Sequence, residues 1–480
     1  MEKLKHLIGC LKPQEVQLAE QYFKLKSGSK GAESKKLKLF KLILKGKVDC
    51  DERAAAQLYE KKSCSAYSHL KKRLHEDILS IILMSSQQDE TDNIAEEIKC
   101  RKQLIQGKLL INRGVVNDGL SLLKNVSDRA EEYEFLDIKL AADDVLRTYS
   151  DLRSNLMATR SYDKNINESF NLMRKILYAK QLNYEIRHPD ERHDTENQSY
   201  DLPLRPQREG EFGSKRLDYW YNKFEFGNSQ QKRNFDQAEK YANTLLETVK
   251  KNPRLYNKVE IANLFLEVGH LYFREEKYNQ AAKYASGAMK YYENQEARRL
   301  DAMRVVFLSL FRRGEINQSW DIVNEVLNGA KCLKESIHKP IWVLQKATLE
   351  FTEKHYNNSV KTLQSGYNQL NHKSDWAVGY RLLELLNILE LQDYDWLEYK
   401  LEAFRKFVFR LHSSSRERYC AIHKVFKKYL SNTSGEQRFL EYLHSFNQNV
   451  SSHPWDPMGV EIINIPKWFE GKLKGQSVRL

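Results

Sequence analysis

Ile261-Ala-Asn-Leu-Phe-Leu-Glu-Val-Gly-His-Leu-Tyr272, then Phe273-Arg-Glu-Glu-Lys277, then Tyr278-Asn279-Gln280-Ala281, reads as a helix, a short turn and the start of a second helix. Downstream apolar residues continue at helical spacing through Ala281, Ala285, Ala288 and Met289. Asn279 stands where a side-chain oxygen is expected to accept a hydrogen bond from the unpaired N–H groups of a starting helix. The small Ala281, one turn in, lets the neighbouring helix approach closely, and Tyr278 plugs the corner.

The same four-residue corner, apolar or aromatic, then Asn or Asp, then any residue, then usually a small one, recurs along the chain. The copies are Val116-Asn117-Asp118-Gly119, Ile166-Asn167-Glu168-Ser169, Phe235-Asp236-Gln237-Ala238, Tyr278-Asn279-Gln280-Ala281, Ile316-Asn317-Gln318-Ser319, Tyr356-Asn357-Asn358-Ser359 and Tyr394-Asp395-Trp396-Leu397. Fourth positions are separated by 50, 69, 43, 38, 40 and 38 residues. Self-similarity at such a period marks an array of helix pairs, and the two long spacings imply insertions.

Gly269 and Tyr272 precede Ala281 and Ala288 at the offsets of the tetratricopeptide motif, so this unit resembles that family. Looser matches are Leu310 with Ser319 and Val326, and Gly107 with Gly119 and Val126. The resemblance covers about residues 95–410. It implies an all-α fold, a right-handed α-solenoid of degenerate tetratricopeptide-like helix pairs behind an N-terminal helical cap. It also implies a concave groove lined by the first helix of each pair. Carried onto this sequence, the groove residues are Asn263, Leu266, His270, Phe273 and Arg274, then Asp301, Arg304, Phe311 and Arg312. Asn263 and the three arginines would suit a carboxylate or an acidic segment, since guanidinium forks grip such groups at two points.

Composition agrees with an extended helical protein. The 480 residues contain only 9 prolines and 20 glycines, so breakers are sparse. An apolar content of 41% is enough for a continuous core, and 30% charged residues imply a large wetted surface. Charge gathers at the ends. Residues 1–80 hold 18 Lys/Arg against 10 Asp/Glu, a net +8, and residues 400–480 hold 14 against 7, a net +7. Such ends could meet an acidic partner or a phosphate backbone, or simply form solvated helix faces.

The organisation expected is a basic helical cap over 1–90, repeats over 91–186, a loop or hinge over 187–215, repeats over 216–410 and capping helices over 411–480. The cap reads as four helices: from Pro13, from about Ser34 to Lys45 with Gly46 as the stop, from a capping Asp51, and from Ser65 to about Met84. The last two, around Ala55-Ala56-Gln57-Leu58-Tyr59 and Ser65 to Leu74, resemble a helix-turn-helix. Ser65, Ser68, His69, Lys71 and Lys72 would then face nucleic acid, although the turn is about one residue off and lacks glycine. The segments Tyr22–Leu25 and Leu37–Phe40, and the ending Ile465–Leu473, are similar to an uncharacterised bacterial family of tetratricopeptide-like proteins. That resemblance implies no activity. The aromatics from Phe404 to Trp468 repeat at three or four residues and read as core packing.

Catalytic motifs are not found. The glycines near Gly210–Gly213 and Gly471–Gly475 lack a G-K-S/T ending, and there is no G-x-S-x-G elbow. His188, Asp190, His193 and Asp194 have ligand chemistry but no spacing rule. His69 and His75 are six apart and point to different helix faces. The pairs Asp143-Asp144 and Glu131-Glu132 read as solvated faces. Six cysteines without a C-x-x-C pair suit a reducing compartment. Leu7-Ile8-Gly9-Cys10 mimics the end of a lipoprotein signal but lacks the apolar region before it. The expectation is a cytoplasmic, non-catalytic scaffold or adaptor with no cofactor, metal or membrane span, binding a protein or peptide of acidic character. The alternative is a nucleic-acid-associated regulator.

Overall fold

A computed structural model describes residues 1–26, 34–60, 65–85, 93–187, 213–292, 295–329, 338–367, 370, 375–411, 416–431, 435–449 and 454–475. Every regular element among them is helical. The chain divides into two compact units, residues 1–221 with 248–257, and residues 222–247 with 258–480.

The first unit opens with α1 (Glu2–Gly9), α2 (Pro13–Lys26), α3 (Lys35–Leu44), α4 (Asp51–Tyr59) and α5 (Ser65–Ser85). These pack around one core containing Leu4, Ile8, Phe23, Leu39, Phe40, Leu74 and Ile78. Sequence reading yields four helices here; α1 is the fifth, and it buries only Leu4 and Ile8, too short a stripe for periodicity to register. Asp51 does not cap α4. It is the first helical residue, and its carboxylate accepts from Lys71 Nζ (2.9 Å), the Tyr67 hydroxyl (2.8 Å) and the Met1 ammonium (3.1 Å).

Next come α6 (Asn93–Asn112), α7 (Val116–Glu132), α8 (Leu136–Leu152) and the long α9 (Leu156–Arg187). Each packs on its successor, and α6 also meets α8, the stacking expected of a solenoid. The copy at Ile166–Ser169 is not a corner: it lies inside α9. Asp143 is also not solvated. It is 1% exposed and pairs with Lys139 at 3.2 Å, while the Ser127 hydroxyl donates to it from α7.

Beyond residues 188–212, which lie outside the described residues together with the acidic and histidine-bearing loop read there, come α10 (Lys215–Gln231) and α11 (Phe235–Lys251). The division between units runs through both. A 3-10 turn at Pro253–Leu255 precedes the repeats of the second unit. These are α12 (Lys258–Arg274), α13 (Tyr278–Tyr291), α14 (Glu296–Arg312), α15 (Ile316–Gly329), α16 (His338–Thr352), α17 (Tyr356–Tyr367), α18 (Trp376–Glu390) and α19 (Tyr394–Phe409). Then follow α20 (Arg416–Ser431), α21 (Gly435–Asn449) and α22 (Ile465–Leu473). Each repeat helix packs on the next, and α12 meets α14 as α16 meets α18. The chain is therefore an all-α array of tetratricopeptide-like helix pairs.

One turn joins the helices of every pair. Residues Gly114, Glu134, Ser154, Arg233, Glu276, Gly314, Lys354 and Gln392 all have φ between 52° and 86°. The next N–H reaches back five residues, as from Lys277 to Tyr272 O (2.9 Å) and from His355 to Glu350 O (2.8 Å). The left-handed residue itself bonds three back, as from Glu276 to Phe273 O (3.1 Å). This double bond is the Schellman stop. It places the apolar or aromatic residue of each corner at the first helical position and the Asn or Asp at the second. The Asn or Asp therefore does not cap. Where a side chain does so, it is two residues earlier, just before the helix, as when Asp393 accepts from Trp396 N (3.1 Å) or Asn234 from Gln237 N (3.2 Å).

The small residues behave as read. A Cβ on Gly119 would lie 2.6 Å from Ile111 Cγ1 and 2.9 Å from Gly107 O, so α6 and α7 touch backbone to backbone. Ser359 sits at the same place in its pair, fully buried, and its hydroxyl donates to Ala347 O (2.8 Å) across α16 and α17. Cys10, Cys50, Cys100 and Cys420 are free thiols. No described helix is long and apolar enough to cross a membrane.

Candidate functional site

The site lies within the second unit, on the face built by the first helix of each pair. Its centre is a segment of the chain itself. Asp456-Pro457-Met458-Gly459 makes a tight turn closed by Gly459 N to Asp456 O (2.9 Å), and Met458 N also donates to Asp456 Oδ1 (3.0 Å). Asp at the first position, Pro at the second and Gly at the fourth are the residues that a type I turn favours. Trp455 Nε1 then closes the loop on Glu461 O (2.9 Å). After Ile463 the chain enters α22, capped by Asn464, which accepts from Lys467 N (3.2 Å).

Two arginines of α14 hold this segment by its backbone. Arg304 Nη2 donates to Met458 O (2.7 Å) and Gly459 O (3.1 Å), and Arg312 Nη2 donates to Ile462 O (2.6 Å). Eight helical residues separate the arginines, a rise of about 12 Å. Three extended residues from Gly459 to Ile462 span about 10 Å. The segment therefore runs alongside α14 in the same direction. Each guanidinium also faces a tryptophan at 4.8 Å, Arg304 over Trp376 and Arg312 over Trp455. Burial pushes Arg304 down to about 10 and lowers Arg312 also. Among the described residues the Nε of both arginines is buried without an acceptor, so one N–H of each fork is unused.

Neighbouring repeats complete the seat. Gly379 of α18 leaves room for backbone: a Cβ there would lie 2.5 Å from Val460 O and 2.9 Å from Leu344 Cδ2. From α20, Arg418 grips Glu461 through Nε to Oε2 (2.6 Å) and Nη2 to Oε1 (2.9 Å). Burial raises the Glu461 carboxyl from its ordinary value, against the pull of Arg418. Ile465, Trp468 and Phe469 of α22 are buried, and Phe469 is ringed by Phe426, Tyr429, Phe439 and Trp468 at 5.0–5.8 Å.

The other residues expected in the groove divide. Phe273, Phe311 and Leu266 are buried. Asn263 Oδ1 accepts from Tyr292 (2.7 Å). Arg274 is exposed and donates to Gln230 Oε1 (3.2 Å). His270 is pushed down to about 4, by burial and then by Arg274 and Arg304. Asp301 lies 3.7 Å from His338, with burial raising its carboxyl. Sequence reasoning missed Trp455, Glu461, Gly379 and Arg418. Only the Asp-Pro-x-Gly turn signals that the chain doubles back near 456, and nothing signals what it touches.

In the first unit, Ser65, Ser68, His69 and Lys72 lie exposed on one face of α5, whereas Lys71 bonds Asp51. The helix-turn-helix turn at 61–64 and the ligand-type residues His188, Asp190, His193 and Asp194 lie outside the described residues.

No family model and no curated protein matches the chain. Among solved structures it is similar to the apo form of RapI, at 15% identity over 74% of this chain and 86% of that one, with a TM-score of 0.41. It is also similar to the Rap conjugation gene regulator of the plasmid pLS20 in complex with the Phr* peptide. There the identity is 11% over 80% and 98% of the two chains, with a TM-score of 0.40.

Proposed function

We propose that the chain is a non-catalytic interaction scaffold whose α14–α20 face binds an extended segment of a protein partner. The supporting observation is that Arg304 and Arg312 hold extended chain by its carbonyls while, among the described residues, the Nε of each has no acceptor. Carbonyl recognition is tolerant of sequence, and a carboxylate would take two N–H groups of one fork at once. A carboxylate-bearing partner segment thus has more to bond than residues 458–462 supply, and would bind by displacing them.

Affinity capture of the full chain with its host's proteins, comparing wild type with Arg274→Glu plus Arg304→Lys, tests this reading. A partner retained by wild type and lost by the variant, with helical content unchanged, supports it. Equal capture by a normally folded variant removes the face from the reading.

A second reading rests on the first unit. Ser65, Ser68, His69 and Lys72 share an exposed stripe on α5 that could lie on duplex DNA. Binding of the full chain to duplex DNA would then fall steeply with salt and drop with Lys72→Glu. Absence of binding at low salt ends this reading.

A further inference from the structure

The net +7 of residues 400–480 is only partly used by the inner face. Arg418 is matched by Glu461, Lys472 by Glu390 and Lys474 by Glu470. The remaining charge concentrates on one side of α20. Arg416, Cys420, Lys424 and Lys427 recur at steps of four, four and three, which places them on one helix face. With Ala421, Lys428, Tyr442, Phe446 and one carboxylate residue, Glu417, they line an open cleft of about 900 Å³ between α20 and α21, so cations outnumber the acid four to one. Lys424 and Lys427 are exposed, and among the described residues neither forms a hydrogen bond or a close ion pair. The nearby carboxylate of Glu402 is already held by Arg405 at 2.6 and 2.9 Å. The field is felt behind this face: His423 is lowered from its ordinary value by burial first, then by Lys427 and Arg405.

We propose that the α20–α21 cleft is a docking site for an acidic peptide segment carrying an apolar anchor. The site is separate from the inner face and does not depend on the reading given to that face. Its cations extend from Arg416 to Lys428, twelve residues or about 18 Å along the helix. One phosphate or one carboxylate cannot span that distance, whereas a run of Asp and Glu places charge all along it. Ala421 and the thiol-bearing Cys420 form a small-residue floor in the lining that the cations share, and this suits a leucine or phenylalanine side chain. A nucleic acid strand fits less well, because it needs open rings for its bases. Phe446 is 1% exposed, and the Tyr442 ring is covered by the Lys428 ammonium at 3.6 Å. Lysine is a point charge that accepts a carboxylate from many directions, as a peptide of loose register requires.

The test is fluorescence anisotropy with the full chain at about 0.15 M salt, where the Debye length is about 8 Å. The probe is a fluorescein-labelled synthetic peptide, Glu-Asp-Glu-Leu-Phe-Glu-Asp-Glu. Saturable binding is expected. Lys424→Glu with Lys427→Glu should weaken it at least tenfold, with an intermediate loss for Lys424→Gln with Lys427→Gln. Ala421→Trp, which fills the floor without changing charge, should weaken it too. The Gln/Asn version of the peptide, and a single-stranded oligonucleotide of equal charge, should bind at least tenfold more weakly. Absence of peptide binding overturns the proposal. So does unchanged affinity in the charge-reversed protein with intact helical content, and so does an oligonucleotide that binds as tightly as the peptide.

Discussion

Arg418 and Glu461, forty-three residues apart, face each other edge to edge with both side chains 5% exposed. Glu461 Oε1 also accepts from Ile465 N (3.2 Å), so one carboxylate ties α20, the doubled-back segment and the start of α22. Removing one member leaves an uncompensated buried charge, at a cost of about 3–5 kcal/mol. Glu461→Ala should therefore lower stability by that amount in urea unfolding, followed by tryptophan fluorescence. Arg418→Met combined with Glu461→Leu should recover most of it. A double variant as unstable as the single one would show that the pair acts through something besides charge.

Gly379→Ala places a methyl group where Val460 O and Leu344 Cδ2 now stand. Overpacking of this kind costs about 1–3 kcal/mol, and the segment is the side that gives way. Amide hydrogen exchange should rise over residues 458–465 while α18 stays protected. Unchanged exchange there would mean that the segment is not seated against α18.

His270 has an ordinary value of 6.5 and is held at about 4 in the fold. Its neutral form is favoured when folded, so it contributes stability in full above about pH 6.5, and that contribution is lost as pH falls toward 4. Unfolding free energy should decline across this window. His270→Phe should flatten the decline, and an equal slope in the variant would assign it to other groups.

Lys354 adopts φ 64° at the α16–α17 corner. A non-glycine residue in the left-handed region is strained by about 1–2 kcal/mol, while glycine gives back about 0.4–1 kcal/mol through the unfolded chain. Lys354→Gly should stabilise by about 0.5–1 kcal/mol and Lys354→Val should destabilise. Thermal unfolding of both variants checks the order.

Much of the fold was legible in local sequence because each pair is built from contacts close in the chain. Gly269 opposite Ala281 and Ala285, and Gly107 opposite Gly119, are short-range facts. The corners at Glu134 and Ser154 escaped notice because the helices after them open with Leu136-Asp137-Ile138-Lys139, which lacks the small residue, and Leu156-Met157-Ala158-Thr159, which lacks the Asn or Asp. Ile166–Ser169 carries the letters of a corner without a stop before it, and α9 runs through. The site was half legible. Arg304 and Arg312 could be expected on a groove wall from the resemblance to tetratricopeptide pairs, but Met458, Gly459 and Ile462 lie about 150 positions away. No periodicity connects residues so distant. Asp143 was misread for a different reason: a charged residue reads as solvated, and its burial follows from packing against Ser127 of the preceding helix.

The doubled-back segment also sets a timetable for synthesis. A chain emerging at about 5–20 residues per second completes Arg304 well before Gly459, 155 positions later. The α14 wall therefore stands without its inner strap for on the order of ten to thirty seconds after it is made. In that interval the face is available to any extended segment within reach, including those of a nascent neighbour. Translation speed between α14 and residue 463 thus governs how long the wall remains open to a first occupant.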